Sequence, residues 1–357
     1  MQTLIDQLAS TIHAAAENKQ PLRIHGGGSK AFYGQPPSTH ADKLDVSALQ
    51  GIVDYEPTEL VIAARAGTPL ATIESLLHQN NQILAFEPPY FADTATLGGC
   101  IATGLSGPRR ASTGAVRDFV LGVRILDGMG RDLRFGGQVM KNVAGYDVSR
   151  LMAGAMGTLG VLLEISIKVL PSPAVERTLS LEMDQVQAIE CMNRWAGKPL
   201  PISATGFVDG RLFVRLSGAE SATRAAQAQI GGEIYPEGNM FWNSVREQTH
   251  DFFKPTASLW RLSIKSTTPP IIFPHTAQFI EWNGALRWLV CQKTLSADTI
   301  RQTAQLAGGH ATLFRHTNPT TPVFQPLSPT LMHFHRQLKQ QFDPANILNP
   351  GRLYPNF

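Results

Sequence analysis

The sequence predicts an α+β protein of two domains: a glycine-rich N-terminal domain, then an antiparallel-sheet domain with helices on one face. Three observations carry this. The chain has 357 residues, more than one ordinary core accommodates at roughly 150 residues per domain. Fourteen of its 31 glycines fall between Gly98 and Gly160, so the first half differs in composition from the second. Beyond Pro171 and Pro173, two hairpin-and-helix units recur at a spacing of about 75 residues. The expected division is 1–171, 172–325 and a C-terminal helix and tail at 326–357 that returns to the first domain.

Composition narrows the function before any motif does. Hydrophobic residues are 43% and charged residues 17% of the chain, enough apolar surface for two cores and far from the signature of disorder. A net charge of +3 with no run of five like charges argues against a nucleic-acid partner. No stretch approaches the ~18 apolar residues of a membrane span, and Asp6 sits where a secretory signal would be basic or apolar, so a cytoplasmic protein is expected. Cys100, Cys191 and Cys291 are spaced far apart, which suits neither disulfides, nor structural zinc, nor an iron–sulfur cluster.

The elements follow in order. Leu4, Ile5, Leu8 and Ile12 share one face of a helix over 2–17,. A strand is expected at 60–64, then a helix over 69–79 with Thr68 as N-cap and Pro69 in the first helical position. Further strands are expected at 119–126 and 161–169, each rich in Val, Leu and Ile,. In the second domain, 207–217 reads as a hairpin turning at Asp209-Gly210, followed by a helix over 219–229. The stretch 279–291 repeats the pattern with a turn at Asn283-Gly284 and a helix over 297–306,. Two split β-α-β units would together build one antiparallel sheet. Ser328 and Pro329 open a last helix, and Asp343-Pro344 ends it,.

The first glycine cluster has its own chemistry. A short apolar strand runs into Gly26-Gly27-Gly28-Ser29-Lys30, where amides without Cβ atoms can converge on an anion, with a hydroxyl and an ammonium beside them. This reads as a phosphate cradle. Gly26-x-Gly28-x-x-Ala31 fits the glycine spacing of a dinucleotide fingerprint, but that fingerprint requires a helix opening at the loop, and Gly34 and Pro36-Pro37 forbid one,. An NAD site is therefore not expected.

Taken together, Gly26-Gly-Gly-Ser29, Ala66-Gly-Thr-Pro-Leu70, the run from Thr96 to Arg110, Gly114 to Gly122, Lys141-Asn-Val-Ala-Gly-Tyr-Asp147 and Gly157-Thr-Leu-Gly-Val161 resemble the FAD-binding domain of the vanillyl-alcohol oxidase (PCMH-type) flavoproteins. Within that group the chain is most similar to the smaller FAD-binding subunits of bacterial glycolate oxidase. Phe342-Asp-Pro-Ala-Asn-Ile-Leu-Asn-Pro-Gly351 resembles the C-terminal signature of FAD-linked 2-hydroxyacid oxidoreductases. The resemblance implies a two-lobed PCMH-type FAD-binding domain followed by an antiparallel α+β cap domain. It also implies that Leu97, Gly98, Gly99, Ala102, Ser106, Gly107, Arg109, Gly114, Gly157, Gly160 and Val161 join the Gly26–Lys30 loop along the cofactor. Gly98-Gly99 would add amide donors to the diphosphate, and Arg109 or Arg110 would meet a phosphate or the edge of the flavin.

Two departures shape the functional expectation. Ser29 stands where some relatives carry a flavin-tethering His, so FAD should be held non-covalently. The cap lacks the His-x-Gly-Asp-Gly-Asn-x-His motif of the larger 2-hydroxyacid dehydrogenases, and His333 and His335 point to different helix faces. No metal site, catalytic acid or catalytic base is assigned; Lys141, Tyr146 and Asp147 offer a cation, a phenol and a carboxylate in one short segment, which reads at least as well as a structural turn beside the flavin. The resemblance implies a subunit of a glycolate dehydrogenase that works with a larger FAD-linked subunit and an iron–sulfur subunit on a small 2-hydroxyacid. Any membrane association would be peripheral, through those partners. The rival expectations are a self-sufficient 2-hydroxyacid dehydrogenase and an assembly subunit that has lost its flavin.

Overall fold

The fold is described from a computed structural model covering residues 1–137, 147–255, 257–291, 295–316, 321–355 and 357. The Lys141–Tyr146 segment lies outside the described residues.

Among the described residues the strands form two large sheets, and the alternation of apolar side chains explains both. The first has five antiparallel strands in the order Ile52–Glu56, Val61–Arg65, Val161–Lys168, Val120–Leu126 and Asp132–Gly136. Its Val161–Lys168 strand is buried on both faces: Leu162, Ile165 and Ile167 point into one core with the helix Leu70–Gln79, while Val161 and Leu163 point into another. That second core holds the helix Gln2–Asn18 through Ile5, Leu8 and Ile12, and the parallel pair Leu22–His25 and Asp42–Asp45. Two lobes thus share one strand. The helix Leu70–Gln79 starts without a side-chain cap; Thr68 instead uses its hydroxyl on the Gly51 amide at 3.0 Å, tying two loops together.

The second sheet has eight antiparallel strands. From one edge they are Glu233–Ile234, Val175–Glu182, Arg211–Gly218, Ile202–Val208, Thr276–Glu281, Leu286–Cys291, Ser258–Ser263 and His310–Arg315. Outward from the centre, each half places its second, third, first and fourth strands in the same order, as two related units side by side would. The helices Gln185–Ala196, Glu220–Ile230 and Ala297–Leu306 cover one face. The other face departs from expectation, because the helix Gly238–Arg246 packs there through Phe241, Trp242 and Val245. Around it, Phe213, Phe279, Trp288 and Phe314 meet Tyr33, Leu105 and Met156 of the N-terminal part.

The chain then returns. The helix Pro329–Phe342, capped by Ser328 with Pro329 in the first turn, leads to a tail that pairs with the first strand. The Leu22 amide donates to Ile347 O at 2.7 Å and the Asn349 amide to Leu22 O at 2.9 Å.

Candidate cofactor site

Between the two N-terminal lobes lies a cavity of about 290 Å³. One wall is the loop that leaves the strand Leu22–His25. Gly28 turns it with φ 71°, and no helix follows. Gly27 is required by a close approach: a Cβ there would lie 1.5 Å from Thr94 O. The amides of Gly26, Gly27, Gly28 and Ser29 donate to no group among the described residues. Four such donors facing a cavity are stable only when water or a ligand accepts from them.

The opposite wall is the helix Leu97–Thr103, N-capped by Thr96. Gly98 presses against Ala66, whose Cβ would lie 2.8 Å from an added Cβ. Its role differs from the expected one. The Gly98 amide donates to Ala66 O at 2.7 Å and the Gly99 amide to Thr96 Oγ1 at 3.2 Å, so these glycines give room and not donors. The two glycine clusters do share one cavity, which Ala102, Gly157 and Gly160 complete.

Arg23, Lys30 and Arg352 bring positive charge to this cavity, and His25 lines it beside them. The Lys30 side chain is buried and its ammonium touches Tyr90 O at 3.3 Å and Ser29 Oγ at 3.4 Å. Burial pulls its pKa below the usual lysine range, as expected of an ammonium without a carboxylate in contact. Free amides, an ammonium and guanidinium groups around a slot with apolar patches at Val46, Ala66 and Leu162 suit a molecule with a diphosphate centre and flat apolar ends. The residues present therefore fit FAD.

Six of the expected cofactor residues lie elsewhere. Leu97 is buried in the larger lobe's core and Val161 in the smaller one. Gly114 ends a short helix against Asp118. Ser106 and Gly107 line a separate small cavity at the junction with the second sheet. Arg109 is neither at the surface nor free for a phosphate. It pairs with Glu87 at 3.3 Å and with Glu176, and Arg215 reaches the same Glu87 at 2.8 Å. Burial pushes the Glu87 carboxyl up, but Arg215 and Arg109 outweigh it and hold it below the usual range. This cluster ties Glu87 and Arg109 of the N-terminal part to the Val175–Glu182 and Arg211–Gly218 strands of the second sheet.

The sequence reading missed Asn349 and Arg352, although the Asn-Pro-Gly-Arg stretch marks an irregular segment. Asn349 Oδ1 accepts from the Ile24 amide at 2.9 Å and its Nδ2 donates to Met156 O at 2.7 Å. Arg352 donates to Ala31 O at 2.8 Å, Tyr33 O at 2.6 Å and Gln35 O. The tail thereby braces both the cradle and the Gly157 turn.

The comparisons with known proteins agree with this geometry. An FAD binding domain family matches residues 3–136, and the C-terminal domain of FAD linked oxidases matches residues 323–353. The glycolate oxidase subunit GlcE of Escherichia coli (strain K12) is 48% identical over 353 residues, covering 99% of this chain and 97% of that protein. The chain belongs to the GlcE family of FAD-binding proteins. A D-lactate dehydrogenase of Archaeoglobus fulgidus is 23% identical over 98% of this chain and 89% of its own length. The glycolate oxidase subunit GlcD of Bacillus subtilis (strain 168) is 27% identical over 51% of this chain and 39% of its own length. Among solved structures, p-cresol methylhydroxylase with substrate bound superposes with a TM-score of 0.74 at 13% identity, covering 99% of this chain and 87% of that one. The fold is thus that of the PCMH-type flavoproteins. The GlcE family stands among FAD-linked oxidoreductases, and FAD is its cofactor.

Proposed function

We propose that this chain is the FAD-binding subunit of a multi-subunit glycolate dehydrogenase, oxidising a small 2-hydroxyacid or passing on its electrons within the complex. The single observation that carries the reading is the set of free amides at Gly26–Ser29 opposite the bare helix start at Gly98, in a chain 48% identical to a glycolate oxidase subunit.

Bound FAD would supply a two-electron acceptor for the C–H bond beside a hydroxyl group. The chain's own residues bind and orient it. Gly26–Ser29 donate to the diphosphate, Lys30 and Arg352 offset its charge, and Gly157, Gly160 and Asn349 shape the remaining slot. Ser29 stands where some relatives carry a flavin-tethering His, and on that ground attachment is non-covalent. Within this reading Leu97, Ala102, Ser106, Gly107, Gly114 and Val161 position the cradle's surroundings more than they touch the diphosphate.

The cysteines are scattered along the sequence, so electrons would leave through a partner: a larger FAD-linked subunit and an iron–sulfur subunit. No helix among the described residues is long and apolar enough to cross a membrane. We place the chain on the cytoplasmic face, held to the membrane through those partners. Copurification from the membrane fraction with flavin and iron analysis of each subunit tests this. FAD on this chain together with two copurifying subunits supports it; a correctly folded, colourless chain that takes up no FAD overturns it.

A further inference from the structure

The peptide group between Tyr90 and Phe91 lies between two opposite charges. At its N–H end the Phe91 amide donates to Glu247 Oε2 at 2.9 Å, and the Tyr90 amide donates to the same oxygen at 3.0 Å. At its C=O end Tyr90 O accepts from the Lys30 ammonium at 3.3 Å. Lys30 lines the cavity between the lobes, whereas Glu247 closes the helix Gly238–Arg246, which packs on the second sheet. One peptide plane therefore connects that helix to the cofactor cavity.

Glu247 stands at a helix end where a carboxylate meets the negative pole of the helix dipole and a cation is the stabilising choice. The two amides and Arg246 Nε, at 2.8 Å, hold it there. The backbone it holds is strained: Phe91 has φ 58°, a rare conformation for a bulky residue, and such strain persists where the surroundings fix it. Turning the Tyr90–Phe91 peptide over would bring this φ back to the negative range. It would also take Tyr90 O away from Lys30 and the Phe91 amide away from Glu247. The two charges thus secure the strained orientation, and each polarises the peptide in the sense that strengthens the other's hydrogen bond.

Lys30 has little else to hold it. Its ammonium reaches Ser29 Oγ at 3.4 Å and lies 5.8 Å from the centre of the Phe91 ring; its third N–H has no acceptor among the described residues. Burial disfavours its charge, and Glu247 and Cys100 are the acidic groups that act the other way. The Cys100 thiol is itself pushed up to about 12 by burial and stays neutral, which leaves Glu247. Around them, Glu74 accepts from the Tyr90 hydroxyl at 2.8 Å, Arg246 stacks on the Tyr90 ring at 5.3 Å, and Arg23, His25 and Arg352 share the cavity.

We propose that Glu247 is a positioning residue for the cofactor: through the Tyr90–Phe91 peptide it fixes the Lys30 ammonium at the cavity wall and ties FAD binding to the docking of the second sheet. This rests on the FAD-subunit reading and goes beyond it by giving the second domain a part in holding the cofactor.

The test is FAD affinity of the full chain, read by flavin fluorescence, in a double-mutant cycle. Glu247→Ala and Lys30→Met should each weaken FAD by about tenfold. The double variant should be little weaker than Lys30→Met alone, because Glu247 acts through Lys30. Losses that multiply would mean that Glu247 only supports the fold, and would overturn the proposal. The pH profile is the second readout. Affinity should fall as pH rises and Lys30 gives up its proton. Glu247→Gln keeps an acceptor for the two amides but removes the charge, so the fall should begin on the order of one pH unit lower. That variant decides the matter if Glu247→Ala does not fold, and an unmoved profile overturns the proposal. A folded, unaltered chain that binds no FAD removes the cofactor reading and this proposal together; FAD binding with multiplying losses or an unmoved profile removes this proposal alone.

Discussion

Asn349 accepts a hydrogen bond from the backbone amide of Ile24, 325 residues earlier, at 2.9 Å. The end of the chain therefore holds the strand that delivers the cradle, and its other side-chain atom holds Met156 O beside the Gly157 turn. Removing these bonds loosens two walls of the cofactor cavity at once. Asn349→Ala should weaken FAD binding by roughly tenfold, on the scale of one or two lost hydrogen bonds. Flavin fluorescence during dilution measures it, and retention equal to the unaltered chain would show that the tail does not brace the site.

Gly27→Val should abolish FAD retention. The reason is backbone contact: the added Cβ would lie 1.5 Å from Thr94 O, so the loop must move away from the Thr94–Thr96 stretch. Urea denaturation with and without added FAD would show whether the variant still folds; a folded variant that binds FAD normally would contradict the cradle.

How much was legible follows from the physics of each signal. The first helix, the hairpins at Asp209-Gly210 and Asn283-Gly284, and the final helix follow from apolar period and turn chemistry, which are local. The loop at Gly26–Lys30 was legible because bare backbone directly after a strand has few other uses. The Arg109 ion cluster was not, since Glu87, Glu176 and Arg215 come together only when the second sheet docks. Nor was the loss of Gly98 and Gly99 as donors, because their acceptors Ala66 O and Thr96 Oγ1 belong to the packing of a neighbouring strand end and a cap.

Lys339 and Asp343 form a buried ion pair at 2.7 Å, with side-chain exposures of 6% and 0%. Lys339 also donates to Thr158 O and Leu348 O, and Asp343 accepts from the Ile347 and Leu348 amides. Lys339→Met leaves the carboxylate buried and uncompensated, and should cost about 3–5 kcal/mol. Urea denaturation checks this; a loss below about 1 kcal/mol would mean that water reaches Asp343.

Burial pushes the Glu281 carboxyl up to about 7. Below the ordinary glutamate range both folded and unfolded chains keep the proton. As pH rises from about 4.5 to 7 the unfolded chain releases it and the folded one does not, so stability falls across that window and levels off above it. The loss is on the order of 3 kcal/mol. Glu281→Gln should flatten this part of the stability curve. A variant whose curve matches the unaltered chain would place the titration elsewhere.

The most direct measurement is an equilibrium titration of the flavin-free chain with FAD, followed by acid precipitation of the complex. One FAD per chain, lost with Gly27→Val and recovered wholly in the acid supernatant, is the expected result. A folded chain that binds no FAD, or a Gly27→Val variant that binds it equally well, would contradict the assignment of the cavity between the lobes.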